Sequence, residues 1–117
     1  MAGALAVIEA MVDPLTVETN YTQEIRISET EIESLLFEWL NAIVFVKDKD
    51  GVVFHDVRVT VNRASEKNQW NLDAVLIGDR VDATRQDLRT DVKAVTKHLY
   101  EVRHREGTWY AHVVLDL

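Results

Sequence analysis

Apolar residues along the chain keep a helical spacing in its first half and change to strict alternation after residue 52. In "MAGALAVIEAMVDP", Leu5, Ile8, Met11 and Val12 share one helical face, and Pro14 stops the helix. The stretch "VETNYTQEIRIS" then places Val17, Tyr21, Ile25 and Ile27 on one parity, which predicts a strand. The strongest signal follows in "SETEIESLLFEWLNAIVFVK". Ser28 and Glu31 stand at capping-box spacing, a device worth about 1 kcal/mol. Ile32, Leu35, Leu36, Trp39, Leu40, Ile43 and Val44 continue as a broad stripe, so this helix must lie on something. "DKDG" reads as the turn that ends it; its glycine is misplaced for a calcium-binding EF-hand loop.

Beyond Val52, "VVFHDVRVTV" and "WNLDAVLIG" alternate as strands joined by the polar turn "NRASEKNQ". "DVKAVTKHLYEV" and "TWYAHVVLDL" are two more, joined around "HREG". Helices with such strands predict an α+β fold: a two-layer sandwich, mostly antiparallel, its sheet covered by helices in a single domain over residues 1–117. A two-residue turn at Glu106 and Gly107 would set Asp116 opposite Lys97 and Leu115 opposite His98. Trp109, Ala111, Val113 and Leu115 would then face the core, with Tyr110, His112 and Asp116 outward; an odd-length loop would invert this.

Composition narrows the function classes. With 117 residues, 47% of them hydrophobic, the chain can bury a real core. The absence of cysteine excludes disulfides, thiolate catalysis and cysteine-ligated metals, and suits a cytoplasmic protein. A net charge of −7 argues against strong direct nucleic-acid binding, which draws its affinity from neutralised phosphates. Arg80, Arg85 and Arg89 cluster in "DRVDATRQDLR", but aspartates interleave them, so the segment reads as a solvated loop or short helix with local ion pairs. No apolar run approaches membrane-spanning length.

Candidate chemistry is sparse. The chain has no G-x-S-x-G, no phosphate-cradling glycine loop and no H-E-x-x-H. His112 and Asp116 lie roughly 13 Å apart on an extended strand, too far to share a metal or act as a dyad. The ending "AHVVLDL" is more suggestive, because it sets the Asp116 side chain beside the Leu117 main-chain carboxylate. Both are hard oxygen ligands of the kind calcium accepts, but calcium takes six to eight oxygens. On residues alone the tail reads first as a solvated strand end, with a cation site as the alternative.

Several segments together resemble one family, archease: "MVDPLTVE", "SLLFEWLNAIVFV" with a following "D…G…F" turn, "TDVKAVTKH" and the terminal "VVLDL". They occur in the family's order over essentially the whole chain. The resemblance implies no catalytic residue of its own but a protein cofactor for an RtcB-type tRNA-splicing RNA ligase. That ligase uses GTP and manganese to join 3′-phosphate and 5′-hydroxyl ends, and the cofactor promotes its guanylylation and multiple turnover. The alternative is a chaperone-like module for tRNA-modifying enzymes such as a tRNA methyltransferase; a metal-assisted hydrolase using Asp116 is a third reading. The resemblance also implies a divalent cation, calcium being the expected ion, held by the penultimate aspartate, the terminal carboxylate and an N-terminal aspartate. The first two are Asp116 and Leu117 here; the "HTAD"-like strand that supplies the third has no counterpart, as if the start lay upstream or the form were shortened. Lys97 stands where the family often has an aromatic residue, and its expected position opposite Asp116 would make it a partial charge surrogate. Lys93, Thr96 and His98 match the family's "K-A-V-T-x-H" stretch and are expected to shape a partner surface or support the site.

Overall fold

The longest apolar stripe makes the longest helix in the computed structural model, which describes residues 2–64 and 68–117. This helix, α2 (Ile32–Asp50), buries Leu35, Trp39, Leu40, Ile43, Val44 and Val46, with Ile32 and Leu36 at the margin of the core. Each such side chain contributes about 1.5–3 kcal/mol when fully removed from water. The helix ends where Gly51 adopts a left-handed φ of 62° and its N–H bonds to the Lys47 carbonyl at 2.9 Å. Asp48 and Asp50 are thus last-turn residues, not turn residues.

The start of α2 differs from expectation. A strand, β1 (Tyr21–Glu29), runs through Ser28, whose hydroxyl is bonded to Asn71 Oδ1 at 2.7 Å. Glu31 occupies the cap position without a side-chain bond. The capping box does not form because the ladder beyond it continues to Glu29 opposite Trp70. Several long-range sheet pairs outweigh one local cap.

The alternating segments form β2 (Val52–Ala64) and β3 (Gln69–Arg80), antiparallel in a three-stranded sheet of order β1-β3-β2. Of the expected connecting turn, Ser65, Glu66 and Lys67 lie outside the described residues. At Gly78 the neighbouring strand comes so close that a Cβ would stand 1.9 Å from the Val53 carbonyl oxygen. That approach sits beside an irregularity in which His55 has no partner across the ladder and bonds the Thr19 hydroxyl at 2.6 Å. Helix α1 (Ala2–Met11) packs on β2 and α2 through Ala4, Val7, Ile8 and Met11, with Val12 buried just after it. Its last carbonyls are met by Arg89, whose backbone N–H reaches Met11 at 2.7 Å and whose guanidinium reaches Glu9 at 2.8 Å.

The arginine-rich loop behaves as expected. Asp82 accepts bonds from Thr84 and from Arg85, which also reaches Glu18 and Asp79. The Thr84 and Arg85 bonds pull the Asp82 carboxyl down to about 2.

Two further strands, β4 (Ala94–Arg105) and β5 (Thr108–Asp116), pair only with each other, giving a separate two-stranded antiparallel sheet beside α2. The α+β expectation holds, with the strands divided between two sheets. No helix among the described residues is long and apolar enough to cross a membrane.

Candidate functional site

The tail carboxylates hang from the end of β5, so the register of the β4–β5 hairpin decides their neighbours. Near the turn the expected register holds: Arg105 faces Thr108, and Glu106 and Gly107 adopt φ of 53° and 79°, the signs of a type I′ turn. Four residues of β4, Lys97–Tyr100, then face the single residue Val113 of β5. The excess is taken up by a bulge in which Leu99 adopts a left-handed φ of 53°. Beyond the bulge Leu115 faces Val95 rather than His98, and Asp116 faces Ala94 rather than Lys97. The Lys97 ammonium instead lies 5.0 Å from the centre of the Phe37 ring. It is therefore no cross-strand charge partner for Asp116.

The root of the hairpin is clamped to the body by residues that the sequence pattern did not single out. Asn41 accepts from the Val95 N–H at 3.2 Å and donates to its carbonyl at 3.3 Å, serving β4 as a one-residue substitute for a neighbouring strand. Lys47, only 7% exposed, donates to the Val92 carbonyl at 2.8 Å and pairs with Asp48 and Asp91. Burial pulls its pKa down, but the two carboxylates outweigh this and leave it raised. A lysine continuing the apolar stripe one turn beyond Ile43 was the available sequence signal for Lys47; Asn41 gave none.

Of the expected supporting residues, two touch the tail strand. The Lys93 N–H bonds to the Asp116 carbonyl at 2.7 Å, a main-chain contact, while its side chain is exposed. The Thr96 hydroxyl donates to the Val114 carbonyl at 3.2 Å. His98 lies in the bulge, exposed, and does not face the tail. Facing is also only partly as expected. Val113 and Leu115 pack on the core, and Ala111 joins them in a small apolar groove, but Trp109 is 52% exposed. The hairpin outruns the helices that would have covered it.

What the tail offers chemically is the exposed Asp116 carboxylate beside the exposed Leu117, with β5 behind them. Their oxygens suit a hard divalent cation in kind. In number they fall short: no group of three or more acidic or histidine side chains among the described residues could hold a metal. Of the histidines, His112 Nδ1 is bonded to the Leu99 carbonyl at 2.9 Å and His55 Nε2 to the Thr19 hydroxyl at 2.6 Å.

Comparison with known proteins decides the family. The model of the Archease protein family (MTH1598/TM1083) matches residues 1–117. The chain belongs to the archease family. It is 32% identical to the archease of Thermococcus gammatolerans over 99% of this chain and 81% of that protein. It is likewise 32% identical to the archease of Methanopyrus kandleri, over 98% of this chain and 81% of the relative. The solution structure of Methanobacterium thermoautotrophicum protein 1598 superposes with a TM-score of 0.81 at 30% identity, covering 97% of this chain and 79% of that one. Archease is a family of protein cofactors rather than catalytic enzymes, and membership implies an RNA ligase or another tRNA-processing enzyme as partner.

Proposed function

We propose that this archease is the activating cofactor of an RtcB-type tRNA-splicing RNA ligase, promoting its guanylylation and sustaining multiple turnover. The observation that carries the reading is the family match along the whole chain. An acidic protein of net charge −7 is suited to meeting a basic RNA-processing enzyme, because complementary charge speeds and orients encounter. In the same reading Asp116 and Leu117 supply two carboxylates to a divalent cation, calcium, with water completing its oxygen shell. What this chain's own residues do is hold that end of β5 still, through the Lys93 N–H and the Thr96 hydroxyl.

The test is a multiple-turnover ligation assay with the purified ligase and substoichiometric archease, wild type against Asp116→Ala. Stimulation by the wild type that falls about tenfold or more in the variant supports both the cofactor role and the tail site. Equal stimulation by both removes the tail site. No stimulation by the wild type, with suppressed aggregation of a tRNA methyltransferase, replaces the reading by that of a chaperone.

A further inference from the structure

The distal half of the β4–β5 hairpin is a second surface, separate from the tail. Residues that face each other across antiparallel strands share a side. Glu101 with His112, Arg103 with Tyr110 and Arg105 with Thr108 therefore present one face. Glu101, Arg103, Arg105, Tyr110 and His112 line a shallow basin of about 520 Å³ on it. Tyr110 is 58% exposed. Its neighbours are already set: Arg103 is paired with Glu101, and His112 is tied to the Leu99 carbonyl at 2.9 Å. On the reverse side His104 stacks on Trp109, ring centres 4.5 Å apart and planes 21° from parallel, joining the strands where the body no longer supports them.

Two properties set this face apart. Exposed tyrosine and arginine on a preorganised support are the residues that dominate binding energy at protein interfaces. The charge also differs: this face carries Arg103 and Arg105 against the single carboxylate of Glu101, in a chain that is −7 overall. An RNA strand is the poorer occupant, since Glu101 stands in the basin and the rest of the molecule repels phosphates. A protein surface fits better: an apolar socket for the Tyr110 ring, rimmed by carboxylates that meet Arg103 and Arg105.

We infer that this face of the hairpin is the arm by which the chain docks on its partner enzyme. The inference rests on the ligase reading above and names the surface that reading leaves open. The acidic body and the basic arm give the encounter two signs, and two signs admit one orientation where a uniformly acidic surface would admit many.

The experiment is a binding titration of the purified RtcB-type ligase with wild-type archease, Tyr110→Ala, Tyr110→Phe, Arg105→Glu and Arg58→Glu, each checked for folding by circular dichroism. Arg58 is exposed on β2, so its reversal changes net charge by the same amount at a distant place. Tyr110→Ala and Arg105→Glu should weaken the complex by about tenfold or more, through faster dissociation. Arg58→Glu and Tyr110→Phe should stay within about twofold of the wild type. The inference is overturned if the arm variants bind like the wild type, or if Arg105→Glu and Arg58→Glu weaken binding equally, which would leave charge alone. It is also overturned if Tyr110→Ala abolishes binding of a single-stranded oligoribonucleotide by the free chain while sparing the ligase. A wild-type chain that does not bind the ligase at all removes the ligase reading, and the arm with it.

Discussion

Strands β3 and β5 follow the same alternating pattern, and their fates are opposite. β3 lies between two neighbours and beneath α2, with Leu72, Ala74, Leu76 and Ile77 at 9% exposure or less. β5 has one neighbour, and none of residues 108–112 is buried. Alternation states that a segment has two faces; it does not state that anything covers either of them. The body settles its apolar surface inside the chain, whereas the hairpin keeps Trp109 and Tyr110 at its surface. Exposed aromatics on a thin element are left available for recognition.

The largest effect that sharpens this contrast comes from truncating one aromatic in each region. Phe54, fully buried in β2, should cost about 3–5 kcal/mol as Phe54→Ala in urea denaturation. Trp109→Ala should cost no more than about 1 kcal/mol, the loss of one exposed stack. Equal costs would show that the arm is part of the core after all. Smaller, and of opposite sign, is Leu99→Gly. Leu99 holds a left-handed φ of 53° and is 67% exposed, so glycine relieves strain without forfeiting burial. Stability should rise by about 0.5–1 kcal/mol, less than the full left-handed penalty because glycine costs more entropy to fix.

The smallest effect is one of pH, and it samples both regions. Burial pushes the Tyr21 hydroxyl up to about 12, assisted by its bond to Asp50; burial likewise raises Tyr100, at the root of the arm, to about 12, with the Glu33 charge assisting. An unfolded chain loses these protons near pH 10, the ordinary tyrosine value. Between pH 10 and about 12 the folded state holds the extra protons, so stability falls as pH rises through that window and is unaffected below it. Tyr21→Phe and Tyr100→Phe should each flatten the fall in urea midpoint over this range; an unchanged slope in both would show that neither hydroxyl is held in the folded chain.

What was legible in the sequence divides along the same line. The stripe from Ile32 to Val44 named the helix and its buried face, since a broad apolar face has few alternatives to burial. The register beside Glu106 and Gly107 was legible because a two-residue turn fixes it locally. The bulge at Lys97–Tyr100 was not, because leucine gives no sign of a left-handed conformation imposed from elsewhere. That omission displaced the whole expected environment of Asp116. The family resemblance pointed to Asp116 and Leu117 as a pair, but neither resemblance nor pattern revealed that Asn41 and Lys47 anchor the strand facing them.

The bulge also divides the hairpin into two lengths that keep separate time. From the turn to Glu101, spacing is dictated by Glu106 and Gly107; from Thr96 to Ala94, it is dictated by the body through Asn41 and, at the adjoining Val92, Lys47. A residue gained or lost at the tip would lengthen or tilt the arm, and the mismatch would be absorbed before reaching the tail. The bulge thus separates the outer part of the hairpin from the end of β5 that carries Asp116, so the two can differ in length and tilt without a common register.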